Sequence, residues 1–138
     1  MESRIDETIK RHDIGMNCAQ AVACTYCDLV GMDEVSMFKV TEAMGLGMGG
    51  MEGTCGAVTG ACAIAGMLNS TGNIDHPDSK ASTYKISKEI TTRFKEQNGS
   101  LICRELKGVE TGKVLRSCPD CIRDAARILE DILSRQED

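Results

Sequence analysis

The chain has 138 residues, 41% hydrophobic and 27% charged, which is enough to build one domain with a real core and excludes a disordered chain. A net charge of −5 and a pI near 5.1 argue against nucleic acid or an anionic membrane surface as partner. Aromatic residues make up 3% with no Trp, so the core must be aliphatic with Met and Cys as fillers, and only two prolines favour long helices.

In chain order, the spacing predicts a first helix over 3–12, capped by Ser3, with Asp6 and Glu7 in its first turn and Lys10, Arg11 and His12 near its end. The polar start, Met1 to Glu7, lacks the apolar run of a signal peptide. Asn17 caps a second helix that runs to about Val30 and closes at Gly31, with Cys18 in its first turn. Cys24 and Cys27 lie on the face opposite Cys18 and are read as incidental or second-interface thiols. A third helix runs from Asp33 or Glu34 to Met44.

The stretch Gly45 to Cys62 follows, with seven of the 14 glycines. A glycine-rich loop, 45–53, leads into a helix of small residues capped by Thr54, with Cys55 in its first turn. The loop is not a phosphate cradle: no strand precedes it and no Gly-Lys-Ser/Thr follows. Its glycines suit close backbone approach instead. Cys62 returns near the face of Cys55 after two turns. The longest apolar-leaning stretch, 55–68, is too short and glycine-rich to span a bilayer.

Residues 71–79 form a polar loop containing His76 and Pro77, and a long helix spans about 77–97. His12 and His76 read as surface residues. Ser100 caps a short helix to Lys107 with Cys103 in its first turn. Ser117 to Cys121 opens the last helix, whose stripe is Ile122, Ala125, Ala126, Leu129, Ile132 and Leu133.

Cys18, Cys55, Cys103 and Cys121 thus each fall in the first turn of a separate helix, where free N–H groups and the dipole favour thiolate. Packing alone would scatter cysteines along helices. Without an export signal, eight cysteines indicate metal, cluster or catalytic thiol chemistry in a cytoplasmic protein. Four converging thiols make either a dithiol–disulfide couple, one or two of them, or a four-cysteine zinc or iron–sulfur site. Cys118 and Cys121 form a C-x-x-C pair that could act as a redox couple on its own.

Asn17-Cys18-Ala19-Gln20, the glycine loop with Cys55-Gly56-Ala57-Val58-Thr59-Gly60, Cys103-Arg104-Glu105-Leu106, and Cys121 ahead of Ala125-Ala126 resemble the small redox-active proteins named for their pattern C, GCAxxG, C, C. The resemblance covers nearly the whole chain. It implies one all-α, single-domain bundle over 1–138, of about five to seven helices, from a bacterium or archaeon. It maps the four hallmark cysteines onto Cys18, Cys55, Cys103 and Cys121, with Cys118 competing for the fourth place. It also implies a gene beside transporter genes, hence a functional link to a transporter, and supplies no substrate.

Three functions follow from these observations. The first is redox chemistry by the thiolates of Cys18, Cys55, Cys103 and Cys121, with an unidentified redox partner and without bound cofactor. The second is a metal or iron–sulfur module with the same four cysteines as ligands. The third is a structural or adaptor domain in which the small-residue helix forms a homodimer.

Overall fold

The computed structural model describes residues 1–137. Among the described residues seven helices of five residues or more follow one another, with a four-residue turn, Gly45–Met48, broken by left-handed Leu46 and Gly47 in the glycine loop: α1 Ile5–Asp13, α2 Cys18–Tyr26, α3 Glu34–Glu42, α4 Gly56–Asn69, α5 Lys80–Asn98, α6 Cys103–Lys107 and α7 Cys118–Glu137. A 3-10 turn, Cys27–Val30, extends α2 and ends at Gly31. Among the described residues there is no strand, only an isolated antiparallel bridge between Thr54 and Ile102. The expected all-helical bundle is what the chain forms.

The bundle is built around α2. Every residue from Ala19 to Tyr26 is buried. A helix covered on all sides needs small or apolar residues on every face, and α2 alternates Ala19, Ala21 and Ala23 with larger side chains. Its closest neighbour is α4. A Cβ at Gly60 would stand 2.6 Å from the Ala19 carbonyl oxygen, and one at Gly56 would stand 3.3 Å from the Cβ of Cys18. The glycines of α4 therefore set how closely the two helices cross. The small face of α4 is used inside the molecule, so of its glycines and alanines only Ala63 and Gly66 stay accessible for the homodimer expected of that helix.

The core is aliphatic, with Val22, Val58, Ile64, Ile90, Leu106, Ile122, Leu129 and Ile132 around Tyr26 and Phe94. Methionine fills it less than composition suggests. Met37 is buried, whereas Met48 and Met67 are exposed. Met32, Met37, Met44 and Met67 instead line a groove of about 690 Å3 with Val40 and Ile74.

Several helix starts differ from expectation, each for a local reason. Arg4, not Ser3, precedes α1, and its N–H donates to Glu130 Oε2 at 2.7 Å. Thr54 is held in the bridge to Ile102, and the Cys55 N–H donates to the Leu101 carbonyl at 2.7 Å, so Cys55 itself is the N-cap of α4. Pro77 lies outside α5 because Thr71 ties back the segment before that helix, through Asp78 Oδ1 at 2.5 Å and Ser79 Oγ at 3.1 Å. Ser100 does not cap α6, since its hydroxyl bonds Glu105 and accepts the Ile102 N–H at 3.0 Å. Asn17 caps α2 as expected, with Gln20 completing a capping box.

Candidate functional site

The glycine loop brings two of the cysteine segments together through backbone. Gly53 O accepts the Cys103 N–H at 3.0 Å, and Met51 O accepts the Arg104 N–H at 2.9 Å. At Gly47, where φ is +56°, a Cβ would sit 2.5 Å from the Cβ of Cys103. Only glycine fits that approach, which also needs a left-handed backbone. The start of α7 is fixed against α6 by the Leu106 carbonyl, which accepts the Leu115 N–H at 2.9 Å and the Arg116 N–H at 3.3 Å. Arg116 then bonds the fully buried Asp124 through Nε at 2.9 Å and Nη2 at 3.2 Å.

These constraints close a cavity of about 180 Å3. Its wall holds Cys18, Cys55, Cys103 and Cys121, the four cysteines singled out from sequence, and a fifth, Cys118. His12, Lys107 and Arg116 join its polar lining. Cys18 and Cys118 are partly exposed, whereas Cys55, Cys103 and Cys121 are buried. Cys24, Cys27 and Cys62 are not part of this wall. All eight cysteines are free thiols.

The thiols meet in pairs. Cys18 lies close enough to Cys118, and Cys55 to Cys121, for each thiol to shift the other's ionisation, while the Cys121 thiol donates to the Arg116 carbonyl at 3.8 Å. In the outer pair the neighbouring Cys18 thiol and then the Lys107 ammonium bring the Cys118 thiol down to about 5, against the opposing effect of burial. Cys18, beside Cys118 and buried, is pushed far up. In the inner pair the neighbouring Cys121 thiol, and then the N–H groups of Ala57 and Val58, lower Cys55 against the effect of burial. Cys121 is correspondingly raised by its neighbour Cys55 and by burial. Each pair therefore holds one thiol that is lowered and one that is raised.

The expectation that a thiol in a first helical turn ionises easily holds for Cys55 alone among the four. As N-cap it faces the N–H groups of Ala57 and Val58 in the next turn, the second of which also bonds the Cys55 carbonyl at 3.0 Å. At Cys103 those donors are already used by Gly53 and Met51, and burial raises the thiol. At α2 the Asn17 side chain takes the donor instead. Cys121 stands one turn inside α7, whose first residue is Cys118.

Sequence reasoning did not single out Lys107, His12 or Arg116. Lys107 was discoverable, because it follows Cys103 by four residues and shares its helix face. His12 was read as surface and is half-buried in the cavity wall. Cys24 and Cys62 are raised to about 11, mainly by burial, as expected of packing thiols.

Among the described residues, no three His, Cys, Asp or Glu side chains form a set arranged to hold a metal ion.

The fold and site together define an all-helical protein with a thiol-lined cavity. The chain belongs to the C_GCAxxG_C_C family, described as "Putative redox-active protein", whose model matches residues 16–132. No curated protein and no solved structure matches the chain. Among the described residues, no helix is long and apolar enough to cross a membrane.

Proposed function

We propose that the protein is a thiol–disulfide redox protein in which Cys118 attacks and Cys18 resolves. The Cys118 thiolate attacks one sulfur of a small-molecule disulfide, forming a mixed disulfide and expelling one thiolate. Cys18 then gives up its proton to that leaving group and attacks the Cys118 sulfur. The second thiolate leaves, and a Cys18–Cys118 disulfide remains. One substrate disulfide is reduced to two thiols as one protein dithiol is oxidised.

The observation that carries this reading is the partly exposed Cys18–Cys118 pair, which shares the cavity wall with Lys107. An amine next to a thiol is a usual way to make a thiolate at neutral pH. The cavity is only slightly larger than the roughly 150 Å3 that accepts a benzene, so it suits a small reacting group. The setting we propose is the cytoplasm, where such disulfides are transient and catalytic.

Timed alkylation of the reduced protein with iodoacetamide tests the assignment. Cys118 is expected to label first, at a rate that rises through about pH 5 and is level by about pH 7. If every thiol labels at a rate still climbing at about pH 8, Cys118 is not an activated nucleophile and the proposal fails.

A further inference from the structure

We propose that Cys55 and Cys121 form a second redox couple behind the first, so that one reduced chain can deliver four electrons in two steps. This rests on the assignment of Cys18 and Cys118 as the outer couple.

Three features of the fold support it. The Cys55 and Cys121 thiols are only 6% and 2% exposed, and they lie close enough for each to shift the other's ionisation. Both line the same cavity as Cys18 and Cys118, and Cys55 and Cys118 are near enough for the charge of each to act on the other. Helix α7 supplies one member of each couple, Cys118 and Cys121, one turn apart. The inner couple is thus shielded from solvent oxidants while opening onto the space where the outer disulfide forms.

The exchange balances. The Cys55 thiolate attacks the Cys118 sulfur of the Cys18–Cys118 disulfide, and Cys18 leaves as thiolate. Cys121 passes its proton to Cys18 and attacks Cys55, expelling Cys118 as thiolate. The outer dithiol is restored and the inner disulfide formed, so two electrons have moved outward. A second substrate disulfide then oxidises the outer couple again. Overall, two substrate disulfides and four protein thiols become four small thiols and two protein disulfides.

The fully reduced protein is treated with excess bis(2-hydroxyethyl) disulfide, quenched in acid at intervals, alkylated and weighed. The alkylatable thiols should fall from eight to six and then to four, with peptide mapping placing the second bridge at Cys55–Cys121. Cys121→Ala should stop after the Cys18–Cys118 bridge. In Cys118→Ser the inner bridge should form at least tenfold more slowly than in the native chain. A native protein that stops at six thiols overturns the second couple and leaves the first intact. A second bridge at Cys55–Cys103 overturns the pairing, and an undiminished inner rate in Cys118→Ser overturns the relay. No loss of thiols at all removes both proposals. The native-chain count needs no variant to fold.

Discussion

Cys55 and Cys103 stand at the beginnings of α4 and α6, in segments joined by the Thr54–Ile102 bridge, yet their thiols shift in opposite directions. Cys55 is lowered first by its neighbour Cys121 and then by helix N–H groups, whereas burial raises Cys103. At Cys55 the N–H groups face sulfur; at Cys103 the loop carbonyls take them. Cys118 owes its acidity instead to side chains, first Cys18 and then Lys107. Replacing Lys107 with Met should therefore move the alkylation profile of Cys118 to higher pH and slow labelling near pH 6, while Lys107→Arg should restore much of the rate. A profile unchanged in Lys107→Met would mean that the lysine only fills space. The convergence of Cys18, Cys55, Cys103 and Cys121 is legible in the sequence because each sits at a helix start. The pairing is not, because it depends on where Lys107 and Cys118 meet, and no local pattern encodes that meeting.

At the scale of elements, the site depends on two close approaches. Gly60 lets α4 lie against the Ala19 backbone, and Gly47 lets the loop lie against Cys103. Gly60→Ala forces backbone apart and should cost about 1–3 kcal/mol, the range for overpacking a core, read as a lower denaturant midpoint at unchanged slope. Gly47→Ala adds strain from the positive φ and pushes on Cys103, so it should also change the labelling of the cavity thiols. If Gly60→Ala is neutral, the helix contact is looser than described. Close packing by glycine was legible in the run from Gly45 to Gly60. Its partner was not, since no local pattern names the Ala19 backbone of α2 as the surface that Gly60 meets. The N-caps at Thr54 and Ser100 were misjudged because tertiary hydrogen bonds had prior use of both residues' surroundings.

For the molecule as a whole, the thiols link stability to pH. Cys18, Cys24, Cys27, Cys62, Cys103 and Cys121 are raised in the fold, and Cys55 and Cys118 are lowered. A raised thiol stabilises the fold below its unfolded value of 9.0 and loses that contribution as pH rises above it. A lowered thiol contributes above 9.0 and loses its share as pH falls, for Cys118 down to about 5. The raised groups are more numerous, so stability under reductant should decline between 9.0 and about 11 on the pH scale, as measured by urea denaturation. A flat profile there would mean the thiols are solvated. The buried Asp124 of α7 bonds Arg116 ahead of the helix, Gln97 of α5 and, within its own helix, Arg127. Arg116→Ala should cost about 2 kcal/mol, because a buried carboxylate loses its best partner.

The measurement closest to the central claim is a disulfide map of the native protein after limiting oxidation with bis(2-hydroxyethyl) disulfide. The paired arrangement of the cavity requires a Cys18–Cys118 bridge as the first product, with Cys103 still a free thiol. A first bridge that leaves out Cys118, or a protein whose thiols all stay reduced, would contradict it.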